Sequence, residues 1–181
     1  MSQGDLINTG NSLDVAIEGQ GFLKVQRANG EEAFTRAGNL RVDATGRLVT
    51  QHGEAIEPSI NVPHDSSQLT IAPDGKVTAK VPGRAEMQTL GQLELATFTN
   101  PSGLEKLGGN LFGATPASGE PTVLRPGEQG AGTLSQGFLE SANVRAVEEM
   151  IEMIAAQRSF EMNSKVIQTA DQMLQRLTSL R

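Results

Sequence analysis

The distribution of glycine and proline constrains the fold of this chain more than any other feature. From about residue 12 to residue 137, Gly, Pro or Asp interrupts the sequence every few positions. From Asn143 to Leu180 the sequence contains neither Gly nor Pro. Because Gly and Pro form turns and end helices, the first region predicts short strands joined by turns, and the second predicts one long helix. The predicted fold class is mainly β, a β-rich domain of short hairpins with a long C-terminal α-helix of the coiled-coil type.

Three pairs of apolar segments in the first region are separated by short turn sequences and predict β-hairpins. In the first pair, residues 22–26 and 32–35 flank a turn that contains Asn29-Gly30, two residue types that tolerate positive φ. The other two hairpins are predicted to join residues 40–42 to 47–50 and residues 69–71 to 76–78. Their turns both end in Gly six residues after a Leu, which indicates a repeated hairpin unit.

The later part of the first region predicts one longer strand followed by loop-like connections. Residues 90–99 alternate apolar and polar side chains and predict one longer strand. Residues 113–126 and 127–137 are rich in Gly, Pro and Ser, and they predict loop-like connections between the β domain and the C-terminal helix. The predicted domain limits are residues 1–11 for an N-terminal remnant or linker, 12–137 for the β-rich domain and 138–181 for the C-terminal helix.

The second region has the pattern of a helix that packs against other helices. Ser141 or Asn143 can cap its start, and 38 helical residues would span ~57 Å. Apolar side chains recur every seven residues, with a second set three positions later, as in a coiled coil. The predicted packing residues between helices or subunits are Met153, Ala156, Phe160, Asn163, Val166, Ile167, Ala170, Met173, Leu174, Leu177 and Leu180. A helix packed on the domain's own sheet is the alternative, but a small β domain could cover only part of so long a stripe.

The chemically reactive side chains do not form a pattern typical of a catalytic or metal site. His52 and His64 lie in predicted turns twelve residues apart, whereas a metal site requires clustered ligands. The Gly19–Gly21 segment lacks the third glycine and the following helix of a dinucleotide fingerprint. Asp43 and Asp74 precede turn glycines, as Asp does in Asx-turns. No Ser stands in a G-x-S-x-G elbow, so the sequence predicts no enzyme, no metal and no cofactor.

Composition narrows the classes of partner. The formal net charge is −6 and the Lys and Arg residues are scattered, which argues against a nucleic-acid partner. Aromatic residues make up 3% of the chain, too few for a typical small-molecule pocket, so no small-molecule substrate is predicted. No apolar run approaches the ~20 residues of a membrane-spanning helix, and the first residues lack the pattern of a cleaved signal peptide.

Long segments of the chain resemble the signatures of the bacterial flagellar rod and hook proteins. These segments are Thr9–Phe22 (TGNSLDVAIEGQGF), Phe34–Leu40 (FTRAGNL), Gly137–Val144 (GFLESANV), Glu148–Lys165 and Thr169–Leu177. The resemblance covers nearly the whole chain. Within the family the distal rod protein fits best, because of Pro126–Gly132, Glu161–Lys165 and the moderate size of the middle region. The proximal rod protein and the hook protein are the alternatives.

The resemblance implies a structural subunit that assembles helically with copies of itself into a hollow shaft, which transmits torque to the hook. It implies other axial proteins and the surrounding basal-body ring proteins as partners. The implied location is the periplasmic rod, reached by export without a cleaved signal peptide. In the family the terminal helices build an inner tube and the β domain forms an outer layer.

Family members begin with a further N-terminal segment that includes a helix. The resemblance therefore predicts that this chain is truncated, which would leave the seam of the C-terminal helix without its partner helix. A rival interpretation from another class is a monomeric β-domain binding module with a stalk helix, although the few aromatic residues argue against sugar binding.

Overall fold

In a computed structural model of the chain, the structure describes residues 3–83, 86–141, 150–151, 153–165 and 167. The chain divides into two compact units, Met1–Ala142 and Asn143–Arg181. The described part of the first unit is built from β strands, and the described part of the second is helical. The predicted fold class is confirmed.

Sixteen strands occur within the described residues. They are β1 Leu6–Asn8, β2 Val15–Glu18, β3 Phe22–Gln26, β4 Glu32–Thr35, β5 Arg41–Val42, β6 Leu48–Val49, β7 Ala55–Glu57, β8 Gln68–Ile71, β9 Lys76–Lys80, β10 Gln88–Gln92, β11 Leu95–Thr97, β12 Glu105–Gly108, β13 Leu111–Gly113, β14 Thr122–Leu124, β15 Thr133–Gln136 and β16 Phe138–Glu140. The helix α1 comprises residues 153–165, and residues 150, 151 and 167 are helical as well.

The three predicted hairpins are confirmed as β3–β4, β5–β6 and β8–β9. Their turns share one design, which also joins β6 to β7. In each, the N–H of the first residue donates to the carbonyl of the fifth, and the N–H of the glycine at the fourth position donates to the carbonyl of the first. The four turn glycines are Gly30, Gly46, Gly53 and Gly75, with φ between 84° and 93°. Glycine adopts this left-handed conformation without steric cost, which is why the turn sequences predicted the hairpins.

The largest sheet follows the order β12-β13-β4-β3-β7-β6-β5. Strand β3 is its centre, because one edge pairs with β4 while the other edge is shared by two strands. At its start Leu23 lies opposite Leu95 of β11, and further along Val25 lies opposite Ile56 of β7. Strand β14 extends the sheet beyond β11. The strands β10-β9-β8 form a second sheet, and β15–β2 and β1–β16 form two-stranded ribbons.

Alternate side chains of β3 point into two separate cores, as the period of a strand requires. Leu23 and Val25 belong to the main core, in which most side chains are fully buried. Phe22 belongs to a smaller aromatic core on the other face of the sheet. There its ring meets Phe98 and Phe112 edge-on at centroid distances of 5.8 and 5.7 Å.

The prediction of a single strand over residues 90–99 is wrong. The segment contributes to two strands, β10 in the three-stranded sheet and β11 in the large sheet. Leu93 and Leu95 are both fully buried, and between the strands the N–H of Leu93 donates to the carbonyl of Gly75 at 2.7 Å. The chain thus crosses from one sheet to the other at a point where the apolar alternation continues unbroken in the sequence.

The Gly-rich segment at residues 127–137 is more than a connection. Its second half is β15, which pairs with β2 over four residues and buries Leu134 completely. Residues 138–140, predicted as the start of the helical region, form β16 and pair with β1. The segment of residues 113–126 likewise contains a strand, β14. Strands β15 and β16 pair with partners more than 100 residues earlier, and β14 pairs with β11, 25 to 29 residues earlier. Local composition does not reveal such partners.

The predicted helix over residues 143–180 is confirmed for the residues that the structure describes there, 150–151, 153–165 and 167. The remaining positions lie outside the described residues, as does the candidate cap Asn143. The other candidate, Ser141, continues the β1–β16 ribbon, because its N–H donates to the carbonyl of Asp5 at 2.8 Å.

Candidate assembly surfaces

The described part of the predicted packing seam is exposed along its whole length. Met153, Phe160 and Ile167 are 70%, 76% and 62% exposed, and Ala156 and Asn163 are exposed too. At 3.6 residues per turn these five side chains lie within an arc of about 80° on the helix. The other predicted packing residues lie outside the described residues: Val166, Ala170, Met173, Leu174, Leu177 and Leu180.

A second apolar group lies on another side of the same helix. Met150, Ile151, Ile154 and Met162 are all more than half exposed. By helical geometry Ile151 and Met162 lie about 160° to 180° from Met153. The helix therefore carries apolar side chains on more than one side, a feature of helices that contact several neighbours.

The β unit has its own junction, at which the two ends of its chain meet. The ribbon of β1 and β16 pairs Leu6 with Glu140 and Asn8 with Phe138. Just beyond it, the N–H groups of Thr9 and Gly10 donate to the carbonyl of Gly137, whose own N–H donates to the carbonyl of Asp14 at 2.7 Å. The chain therefore enters and leaves the β unit side by side.

The motif Thr9–Phe22 builds this junction. Asp14 is buried, and its carboxylate accepts hydrogen bonds from the hydroxyl of Thr9 at 2.6 Å and from the side-chain amide of Asn11 at 3.0 Å. Gly38 packs so tightly that a Cβ there would lie 1.6 Å from the carbonyl oxygen of Val15. Several residues that carry the sequence signature thus have architectural roles, because only small or hydrogen-bonding side chains fit where these segments cross.

Arg36 is the most extensively bonded side chain of the junction. Its Nε donates to the carboxylate of Glu140 at 2.9 Å. Its terminal nitrogens donate to the carbonyls of Gly19, Gly21 and Ile17 at 3.0 to 3.3 Å. Sequence reasoning assigned no role to Arg36 or Glu140. Both lie in segments of the sequence signature, but no local pattern indicates that they pair, because the two are 104 positions apart.

Away from the junction, Lys24 and Asp43 have shifted pKa values. Lys24 on β3 contacts Glu32 at 2.6 Å and Glu57 at 3.1 Å, on the two neighbouring strands. The hydrogen bond that the Lys24 ammonium donates to the Glu32 carboxylate is the main reason that the pKa of Lys24 is raised. In the turn after β5, hydrogen bonds from the Thr45 hydroxyl and then from the Arg47 backbone lower the pKa of Asp43 to about 2. Both groups brace strands or turns of the β unit.

The described residues do not assemble a group of three or more side chains suited to hold a metal ion. His52 and His64 lie in exposed turns, as predicted, and Asp43 and Asp74 accept backbone N–H groups two residues ahead of them. Across the helical residues that the structure describes, none belongs to a helix long and apolar enough to span a membrane.

Comparison with known proteins identifies the family. Residues 16–79 match the family described as the flagellar hook protein FlgE/F/G D1 domain, and this range covers β strands from β2 to β9. Residues 135–180 match the C-terminal region of the flagellar basal-body rod FlgEFG proteins, which includes β16 and the helix. The two matches therefore span both units of the chain.

Individual relatives narrow the choice within that family. The chain is 49% identical over 172 residues to the flagellar basal-body rod protein FlgG of Agrobacterium fabrum, covering 95% of this chain and 66% of the relative. It is 48% identical over 179 residues to FlgG of Buchnera aphidicola, covering 99% of this chain and 69% of the relative. Identity to the rod protein FlgF of Salmonella typhimurium is lower, 37% over 177 residues, with 95% and 69% covered.

These relatives favour FlgG over FlgF, the nearest alternative. The chain spans about two thirds of the length of each relative. The matched ranges include Arg36, Gly38, Gly137 and Glu140 of the junction, and also the helix described above. The chain belongs to the FlgG family of flagellar basal-body rod proteins.

Proposed function

We propose that the chain assembles helically with copies of itself into the hollow distal rod, which transmits torque from the motor to the hook. Family membership gives the coarser statement: a structural subunit of the flagellar basal-body rod that associates with other axial proteins. The finer proposal is that the helical unit builds an inner tube and the β unit forms an outer layer. Its neighbours would be the proximal rod, the hook and the surrounding basal-body rings.

The observation that carries the proposal is the exposed seam of the helix. Burial of large apolar side chains such as Phe160 and Ile167 lowers the free energy by about 25 cal/mol per Å² of apolar area removed from water. Helices that repeat such side chains every seven residues bury them against one another. When each subunit offers the same seam to a neighbour related by a helical operation, the contacts continue into an open filament. Such a filament transmits force without any catalytic group.

We further propose that the subunit works in the periplasm and is exported without a cleaved signal peptide. The chain acts as a building element and not as an enzyme. The support for a structural role is the naming of its relatives as flagellar basal-body rod proteins.

A matched pair of substitutions tests the seam. Ala156 and Ser159 are small, exposed residues of the same helix. Ala156 lies on the seam, whereas Ser159, about 240° from Met153, lies in the gap between the seam and the second apolar group. In the assembling rod subunit, Ala156→Glu should abolish rod assembly and swimming, while Ser159→Glu should retain both. Ile167→Glu should act like Ala156→Glu, because it also places a charge in the seam.

The measurement is electron microscopy of isolated basal bodies, with swimming assays in a strain that lacks its own subunit. Circular dichroism of each variant controls for folding of the β unit. Normal rods and swimming with Ala156→Glu and Ile167→Glu would refute the role of the seam.

A further inference from the structure

The ribbon of β1 and β16 depends on contacts with the rest of the β unit. Among the described strands these two pair only with each other, through three residue pairs. A two-stranded ribbon is marginally stable alone in water. Apolar burial adds little on its outer side, where Ile7 is 54% exposed. Polar contacts therefore have a large share in fixing how the ribbon lies on the β unit.

We propose that Arg36 and Glu140 form a latch that fixes this ribbon to the body of the β unit. Arg36 stands just after β4, on the body of the unit, and Glu140 is the last residue of β16. Their ion pair, 2.9 Å long, connects the body to the ribbon.

Contacts other than the one with Glu140 also hold the Arg36 side chain in place. Its two terminal nitrogens donate to the carbonyls of Ile17 in β2 and of Gly19 and Gly21 just after β2. The guanidinium also lies 5.8 Å from the ring centre of Phe22. A planar fork of donors makes all these contacts at once, which the single ammonium of a lysine could not do.

The Glu140 side joins both strands of the ribbon. One carboxylate oxygen accepts the Nε–H of Arg36, and the other accepts the N–H of Gly4 at 3.0 Å. Gly4 lies two residues before β1, so a single carboxylate binds the body, β16 and the approach to β1. Hydrogen bonds between charged groups are among the strong ones, and both side chains are less than one-fifth exposed, so water screens the pair only weakly.

Glu140 lies outside both apolar cores. Removing its carboxylate should therefore release the ribbon while the cores stay intact. Gln3 adds a weaker neutral tie, because its side-chain amide bonds to the carbonyl of Ile17 and the N–H of Gly19 at 3.1 Å. The latch itself stands on contacts within the β unit, and its importance for a stiff rod rests on the proposed function.

Hydrogen exchange of backbone amides on the whole chain tests the latch. Glu140→Ala should accelerate exchange at Thr9, Gly137 and Ser141 by about tenfold or more, because a charge-assisted contact is lost. Exchange in the β8–β9 hairpin should stay unchanged. Arg36→Ala should accelerate ribbon exchange at least as much, because it also removes the bonds to three carbonyls. The double variant should add little to Arg36→Ala, because both remove the contact with Glu140.

Two controls make the result specific. Arg27→Ala removes an ion pair of similar chemistry, with Glu31 at 3.3 Å, from an exposed turn and should leave ribbon exchange unchanged. Glu140→Gln keeps an oxygen for the N–H of Gly4 but loses the charge, so it should give an intermediate acceleration.

Ribbon exchange within about threefold of the original chain in Glu140→Ala would overturn the latch, since opening free energies at the ribbon would be unaltered. Equal acceleration throughout the β unit would overturn it too, because Glu140 would then stabilise the whole fold. If the ribbon loosens as expected but subunits carrying Glu140→Ala still form normal rods, the importance of the latch for the rod is refuted. That outcome would leave the proposed rod function untouched, since the seam variants test it separately.

Discussion

Leu134 offers the sharpest test of how the β unit is built. It lies in the Gly-rich segment for which the sequence predicted a connection, yet it is 1% exposed and sits opposite Ile17 in the β15–β2 ribbon. Leu134→Ala removes the equivalent of three methylene groups, about 2.4 kcal/mol at ~0.8 kcal/mol each. The cavity left behind adds to this, so the expected loss of unfolding free energy is about 3 to 4 kcal/mol.

The assay is differential scanning calorimetry of the 181-residue chain. For a unit of this size 1 kcal/mol corresponds to a shift in Tm of about 3 °C, so Tm should fall by about 9 to 12 °C. Val123→Ala is the matched control, because Val123 is an apolar strand residue that is 45% exposed, and it should cost about 0.5 kcal/mol. A loss below about 1 kcal/mol for Leu134→Ala would mean that this segment is a connection after all and would refute the placement of β15 in the core.

Two further predictions concern a crowded glycine and a turn carboxylate. Gly38→Ala should lower the unfolding free energy by more than about 2 kcal/mol, because its Cβ would overlap the carbonyl of Val15. Gly30→Ala lies in an open turn and should lower the unfolding free energy by only about 1 to 2 kcal/mol, because of its positive φ. Chemical denaturation compares the two variants, and equal losses would contradict the crowding argument. The Asp43 carboxyl should titrate with a pKa of about 2 by NMR, and Thr45→Ala should raise it. Because the pKa of Asp43 is lowered in the folded chain, the carboxylate contributes to stability above about pH 4, and this contribution is lost as the pH falls toward 2. An unchanged pKa of Asp43 in Thr45→Ala would contradict the assigned cause.

The hairpins could be predicted because their turns are local. In β3–β4 the sequence around Asn29-Gly30 alone determines the turn, and the same holds for the turns that end at Gly46 and Gly75. The apolar stripe on α1 could also be found from the sequence, because the seven-residue spacing from Met153 to Phe160 is a local pattern. Its role in packing stays a prediction.

The pairings over long sequence distances could not be predicted. Leu93 and Leu95 continue one alternating pattern, although the chain changes sheets between them. Strand β15 finds its partner more than 100 residues earlier, and Gly and Ser around it conceal its burial. Arg36 and Glu140 lie in two separate signature segments, and the sequence does not show that the Arg36 Nε and the Glu140 carboxylate lie 2.9 Å apart. In each case the decisive contact joins residues that no local pattern connects.

Assembly through the helix seam is the central claim, and chemical labelling tests it most directly. The chain contains no cysteine, so a single Ala156→Cys substitution places one thiol on the seam, and Ser159→Cys places one in the gap between the seam and the second apolar group. Maleimide should label both thiols readily in the isolated chain, where both positions are exposed. In assembled basal bodies the account predicts that Cys substituted at position 156 is protected far more than Cys substituted at position 159. Equal labelling of the seam thiol before and after assembly would contradict the account.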